Sequence, residues 1–395
     1  MTIVAAPVPS IWLTPRPGRA APVHRWFVFP HSFAPELVDW LLGELGVELG
    51  STILDPFCGA GTTLVEAQKL GHHSVGVDLL PLAVLASSAK TQRPSARSLR
   101  RARERAVAAA SRTDGPAPKS PLLERAFSPE SLARMTAALR STRGQASACV
   151  RLAVLSIAPR LSGLVADGGW LRETEPELHP SSVPDLLDGA LQRMEADLQR
   201  DRDPTQVLVH SADARCLPVL DGAIDVVITS PPYPNRHDYT RVFAVELELG
   251  FGLGEAVLNL RRQAVHSHPE AMPERPLLGY AENLEMARPI RELWAQHPDP
   301  RVARMLSGYL NDMHDVLVEL RRVLRPGGRA ALVVGNVRYC GIEIPVDDWI
   351  AELGTRAGFR CLDVRALRFR GNSAQQMALF GRSPSRESAV LLERP

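Results

Sequence analysis

The sequence predicts an α/β fold built on a doubly wound, mostly parallel sheet of seven strands, interrupted by a helical insertion. Three observations carry that expectation. Apolar and β-branched runs of strand length recur along the chain with acidic or glycine punctuation, as strands covered on both faces require. Helical patterns separate several of these runs. The chain has 395 residues, 45% of them hydrophobic and 23% charged, enough to bury a large core.

The elements follow in order. "STILDPF" (51–57) and "HSVGVD" (73–78) are expected strands flanking a helix. "QVLVHSAD" (206–213) and "AIDVVITS" (223–230) follow, separated by a turn around Pro218 and Asp221-Gly222. "GRAALVVGN" (328–336) comes after a turn, "LRPGG". "RCLDVRALRF" (360–369) and "ESAVLLER" (387–394) close the chain, and with no long helix between them they are expected to form an antiparallel edge hairpin. Of the helices, "SFAPELVDWLLGELG" places Leu37, Trp40, Leu41 and Leu45 on one side. "NDMHDVLVELRRVL" repeats apolar positions at spacings of three and four and stops at Pro326-Gly327.

Four segments organise the chain: a Pro-rich lead-in over 1–23, expected to be disordered; a catalytic unit over 24–90 and 206–395; a helical insertion over 91–205, a candidate for target recognition; and a second insertion over 251–305. The helical insertion opens with Arg93, Arg97, Arg100, Arg101, Arg103, Arg105 and Arg112 against Glu104 alone. Such a helix suits a phosphate backbone or the solvated face of a bundle.

Net charge is only +2, so bulk electrostatics neither demand nor forbid a nucleic-acid partner. The five cysteines (58, 149, 216, 340 and 361) show no C-x-x-C spacing and read as reduced thiols, neither a disulfide framework nor a metal site. No apolar run is long enough to span a bilayer, and the N-terminus lacks the basic start and long apolar core of a signal peptide. A cytoplasmic location with no membrane partner is expected. The oligomeric state is not legible.

"LDPFCGAGTTLVEAQKLG" joins the first expected strand to a helix. Gly59 and Gly61 allow a tight turn and close approach of backbone to a ligand. Amides at the helix start can face polar ligand groups. Asp55 ends the first strand, where an open α/β sheet has its ligand crevice. Asp78 ends the second strand and suits the two hydroxyls of a ribose. The dinucleotide fingerprint G-x-G-x-x-G fails, because Leu64 holds its third position. An acid at the first strand's end sits badly beside a pyrophosphate and well beside a cationic methionine. The cofactor expected is therefore S-adenosyl-L-methionine.

"DPFCGAGTT" resembles the first motif of the amino-group (cytosine-N4 and adenine-N6) DNA methyltransferases, enzymes with a Rossmann-like sheet, and "FPHSFAPELV" resembles their N-terminal cofactor motif. The resemblance implies that Phe57 and Thr62 join the cofactor site. It also implies that Phe29, His31 and Phe33 lie near the methionine end. Asp213, just after the third strand, would meet the adenine amino group, or else is an ordinary turn acid.

"SPPY" (230–233) ends the fourth strand and resembles the family's catalytic motif. An exocyclic amino group is a poor nucleophile because its lone pair is delocalised into the ring. Ser230 offers one acceptor to its N–H bonds and the Pro231 carbonyl a second. Pro231 and Pro232 hold that carbonyl in place. Tyr233 offers a face on which an extruded base can stack. A serine in the first position is commoner among the family's cytosine-N4 enzymes, so that base is expected, with adenine N6 as the alternative. A C5 mechanism needs a cysteine nucleophile, and none of the five has that setting. Beyond the motif, Arg236, His237, Asp238, Tyr239 and Arg241 crowd polar chemistry into one segment. Gly335, Asn336 and Arg338 reach the same rim, and Gln375 and Gln376 are candidate base readers in the last loop.

The resemblance covers about 24–90 and 206–394 and omits the helical insertion. Many cytosine-N4 enzymes carry the reverse motif order, and that permuted class does not fit. Two rivals remain. One is an RNA methyltransferase such as a tRNA guanine-N2 enzyme, which usually has Asp-Pro-Pro-Tyr and a separate N-terminal RNA-binding domain. The 50 residues before the first expected strand leave little room for such a domain. The other is a non-catalytic DNA-binding subunit, against which the intact acids and S-P-P-Y argue. DNA is thus the expected partner, with RNA second.

Overall fold

The computed structural model describes residues 4–5, 8–112, 117–167, 170–198, 205–271, 285–296, 298–371, 381 and 384–395. Its strands are β1 (Val4–Ala5), β2 (Thr52–Asp55), β3 (His73–Asp78), β4 (Leu164–Asp167), β5 (Trp170–Glu173), β6 (Val207–Ser211), β7 (Ile224–Thr229), β8 (Leu324–Gly335), β9 (Val337–Tyr339), β10 (Ile342–Ile344), β11 (Arg360–Arg370) and β12 (Ser385–Glu393). Eight of them form one sheet in the order β1-β11-β12-β8-β7-β2-β3-β6. Strands β6, β3, β2, β7 and β8 run parallel, and β12 pairs antiparallel with both β8 and β11. The seven expected strands are all there, and the two-residue β1 extends the far edge beside β11. The last two strands do pair antiparallel, but β12 lies inside the sheet rather than at its edge.

The helices in chain order are α1 (Arg16–Ala20), α2 (Pro35–Glu44), α3 (Thr62–Lys69), α4 (Pro81–Thr91), α5 (Ala96–Ala110), α6 (Pro121–Ala126), α7 (Pro129–Arg140), α8 (Ser147–Leu161) and α9 (Val183–Leu198). Then follow α10 (Tyr239–Val242), α11 (Ala244–Phe251), α12 (Ala256–Gln263), α13 (Arg288–Gln296), α14 (Arg301–Val323) and α15 (Val346–Arg356). No described helix is long and apolar enough to cross a membrane.

Strand alternation sorts the core into two layers. Ile53, Val226, Ile228, Ala331, Val333 and Leu391 point to α2 on one face. Their neighbours Leu54, Val227, Leu332, Val334 and Leu392 point to α14 and α15 on the other. A third cluster joins Phe27 and Phe29, the apolar side of α4, and α5, α7, α8 and α9 of the helical insertion.

Two expectations are corrected. The lead-in is not disordered where it is described: a 3-10 turn (Ser10–Leu13) packs against α2 and β11, and α1 follows and packs on that turn. The Ala34 amide donates to the Trp12 carbonyl, and Arg368 donates to the carbonyls of Ser10 and Leu13. Partners more than 350 positions away hold it, so local composition misreads it. The turn "LRPGG" is instead a bulge inside β8: Ile224 faces Leu324 while Val226 faces Arg329, so an advance of two residues along β7 is opposed by five along β8. Gly327, at φ +77°, supplies the backbone that this bulge needs.

The helical insertion is mostly helical as expected, with one antiparallel pair, β4–β5. It is pinned to the N-terminal segment through buried Asp197 of α9, which accepts from the Val23 amide at 2.9 Å, from Trp26 Nε1 at 2.9 Å and from the Arg25 guanidinium at 2.6 Å. The Arg-rich helix is α5. Arg100 pairs with Glu195 at 3.0 Å and Arg103 with Asp188 at 3.5 Å, both on α9, while Arg97, Arg101 and Arg105 are exposed.

Candidate active site

Strand order reverses at β2, which lies between β3 and β7. A crevice therefore opens beyond the carboxyl ends of these strands, where the helices leave to opposite faces. It opens to solvent and holds a cavity of about 160 Å³. Asp55, Phe57, Gly59, Thr62, Asp78 and Asp213 line it, and Phe29, His31 and Phe33 face it from the N-terminal segment. Ser230 and Pro232 close the far side.

The glycine loop forms because the chain must reverse between β2 and α3. Gly59 and Gly61 take φ of +47° and +79°. Gly61 lies behind the wall rather than on it: a Cβ there would fall 2.9 Å from Ser87 Oγ, so α3 and α4 approach closely only without one. The turn is held by Asp78, whose carboxylate accepts from the Gly59 amide at 2.9 Å and the Leu80 amide at 2.8 Å. Lys90 braces the loop from below. It is 2% exposed and donates to the carbonyls of Phe27 at 2.6 Å and Ala60 at 2.8 Å. Burial pushes its ammonium down to about 7.

Asp55 is 3% exposed and accepts from Thr229 Oγ1 at 2.7 Å and from the Phe57 amide at 3.1 Å. Thr229 immediately precedes Ser230, so one hydrogen bond joins the two motifs. Burial raises Asp55 and Asp78 to about 6, against the pull of these donors. Ionised, such acids await a cation or hydroxyl donors, and the sulfonium, ammonium and ribose of S-adenosylmethionine supply all three. The residues present therefore fit that cofactor. Asp213 meets the cleft with both oxygens already bonded to Arg215, at 3.0 and 2.8 Å. Arg215 is itself held by Asp312 at 2.6 Å.

A smaller cleft continues from the first, lined by Ser230, Pro231, Tyr233, Asn235, His237, Tyr239 and His31. Ser230 Oγ lies 3.0 Å from the Val333 carbonyl, to which it donates, and 3.4 Å from the Tyr233 hydroxyl. Its proton is thereby committed to β8, which leaves its oxygen to act as an acceptor in the cleft it lines. Among the described residues no donor is bonded to the Pro231 carbonyl. The Tyr233 ring packs on Gly335, where a Cβ would fall 2.9 Å from a ring carbon. Tyr339 locks the next turn by donating to the Pro234 carbonyl at 2.5 Å.

The structure thus gathers the expected site residues at one crevice, with Gly61 behind its wall. Asn336 accepts from the Asp347 amide at 3.2 Å and Arg338 pairs with Glu343 at 3.0 Å, both serving the rim. Gln375 and Gln376 lie outside the described residues. Sequence reasoning missed Lys90, Thr229, Asp197 and the meeting of His31 with His237, whose ring centroids are 4.3 Å apart. None carries a local signal, since each partner is distant in the chain.

A crevice with two strand-end acids, a glycine turn and S-P-P-Y beside it defines an S-adenosylmethionine-dependent methyltransferase. Residues 8–86 match the DNA methylase family of N6 and N4 enzymes. The chain is 29% identical over 437 residues to the Type II methyltransferase M.BsoBI of Geobacillus stearothermophilus, covering 94% of this chain and 86% of that protein. It is 27% identical over 444 residues to the Type II methyltransferase M.AvaI of Nostoc sp., covering 96% and 88%. A local match of 43% over 62 residues, 16% of this chain and 18% of the other, links it to the tRNA (guanine(10)-N2)-dimethyltransferase of Methanothermobacter thermautotrophicus. The expectation of an amino-group DNA methyltransferase is borne out, and N4 and N6 chemistry remain together in that description.

Proposed function

We propose that the chain is a site-specific DNA methyltransferase that modifies cytosine at N4, as the modifying partner of a restriction system in the cytoplasm. The observation that carries this reading is the position of Ser230. Its hydroxyl proton is taken by the Val333 carbonyl, its oxygen faces the small cleft, and Thr229 ties it to Asp55 in the cofactor crevice.

Asp55 would face the methionine end and Asp78 the ribose. When bound, S-adenosylmethionine would supply an electrophilic methyl group, its carbon–sulfur electrons staying on sulfur. The rest falls to side chains and backbone. Ser230 and the Pro231 carbonyl accept the two amino N–H bonds and turn the lone pair out of conjugation. Tyr233, stiffened by Gly335 behind it, holds the base face. These contributions are positioning and fixed dipoles in a crevice shielded from water.

The serine in the first position of the motif, commoner among N4 enzymes of the family it resembles, favours cytosine. The local likeness to a tRNA enzyme keeps RNA as the second reading. Labelled S-adenosylmethionine incubated with genomic DNA and with total RNA, followed by mass spectrometry of the nucleosides, decides. N4-methylcytosine in DNA is expected. N6-methyladenine would overturn the choice of base, and label in RNA alone would overturn the substrate.

A further inference from the structure

His237 shares both clefts with Ser230, and so does His31. His237 Nε2 is covered, yet it has no hydrogen-bond partner among the described residues. Buried polar atoms are nearly always paired, and an orphan at a reaction centre signals a missing partner. The rings of His31 and Tyr239 stand edge to face against it, at 4.3 and 4.8 Å between centroids. We propose that His237 is the proton acceptor of the reaction, taking the proton that the base nitrogen sheds after methylation and passing it to solvent beside His31.

The proposal rests on the reading of the small cleft as the base slot. Once methylated, the amino nitrogen carries two hydrogens and a positive charge. One of the two N–H bonds leaves its acceptor, Ser230 or the Pro231 carbonyl, and breaks; its electrons return to nitrogen, and the proton forms a bond to a ring nitrogen of neutral His237. The balance needs no other reactant.

The acceptor must be neutral beforehand, because an imidazolium would repel the cationic cofactor in the adjoining crevice. Burial and the nearby His31 push His237 down to about 4. The groups facing it are His31 from the N-terminal segment, Asp238 and Tyr239 from its own, and His268 from the loop after α12. His31 and His268 are themselves held neutral, chiefly by burial. So weak a base suffices, since a tetrahedral methylammonium on a pyrimidine is a far stronger acid than imidazolium.

The test is single-turnover methyl transfer by His237→Ala and His237→Gln, with DNA affinity and 2-aminopurine fluorescence measured alongside to follow base extrusion. Expected is a loss of about 10²-fold or more in rate for both variants, with DNA affinity and extrusion unchanged and with 50 mM-scale imidazole restoring part of the alanine variant's rate. An unchanged rate in His237→Gln overturns the proposal, because glutamine keeps a polar contact but takes no proton. Loss of extrusion without imidazole rescue also overturns it, making the residue a positioning group. No DNA methylation by the wild type would instead sink the proposed function itself.

Discussion

Asp55 shows how one side chain can weaken the fold and make the site. Its acid is raised from 3.8 to about 6 by burial, so its ionised form costs the native state about 3 kcal/mol. Between those two pH values the folded chain binds more protons than the unfolded one, and stability falls as pH rises through the window. Above about 6 the full cost is present. Asp55→Asn keeps an oxygen for Thr229 and the Phe57 amide without the charge. In thermal melts at pH 7.5 without cofactor it is expected to be the more stable protein by several degrees. Calorimetry should find its cofactor binding lost. In the wild type, cofactor affinity should weaken by up to tenfold per pH unit below about 6 for each acid that must be ionised, as Asp55 takes up a proton that a cation must displace and Asp78 one that leaves it a weaker acceptor for the ribose hydroxyls. A flat affinity from pH 5 to 8 would remove both acids from the cofactor site. Gly335 offers a test of the opposite kind, with space rather than charge at stake. Gly335→Ala puts a methyl 2.9 Å from the Tyr233 ring, and the ring must shift. DNA methylation should fall by at least tenfold while cofactor affinity stays as it was.

Among the elements, strands and loops differ in how much the sequence discloses. Asp55, Gly59, Gly61 and Asp78 were legible because strand-end acids and a glycine turn act through backbone a few positions away. The S-P-P-Y motif was legible for the same reason. Asp197 was not, since it lies on an insertion helix 171 positions from Trp26 and reads there as an ordinary solvated acid. Lys90 was equally hidden: a lysine on α4 suggests a surface, and only the approach of Phe27 and Ala60 gives its ammonium two carbonyls. The lead-in was misread for the converse reason, since composition says disorder while β11 and β12 supply partners from the other end of the chain. Asp197→Ala leaves the Trp26 indole, the Val23 amide and the Arg25 guanidinium without their acceptor in a buried place. A loss of about 3–5 kcal/mol is expected, read as a shift in denaturant midpoint. A shift under 1 kcal/mol would mean that α9 does not anchor the N-terminal motif.

At the scale of the whole molecule, the question is whether the helical insertion is a detachable reader or part of the catalytic body. Motif placement alone suggested a separable unit, because the resemblance stops at 90 and resumes at 206. The packing argues otherwise. Leu82, Ala83, Ala86 and Ala89 on α4 share one buried cluster with Leu152, Leu155, Leu187 and Leu191 of the insertion, and Phe27 and Phe29 of the cofactor motif lie in the same cluster. Removing the insertion would bare that side of α4 and take away the packing behind Phe27 and Phe29. Fully buried aliphatic side chains contribute about 1.5–3 kcal/mol each. The bared set, Leu82, Phe27, Phe29 and three alanine methyls, therefore forfeits about 7–11 kcal/mol, comparable with the 5–15 kcal/mol by which a domain is stable. A chain in which residues 93–203 are replaced by a short glycine–serine linker should consequently be aggregated or molten, with no sigmoidal melt and no cofactor binding. Circular dichroism and calorimetry on the soluble fraction would check this. If the shortened chain instead folds cooperatively and binds S-adenosylmethionine while losing only DNA affinity, the insertion is a reader carried by the catalytic unit rather than part of the core behind its cofactor site.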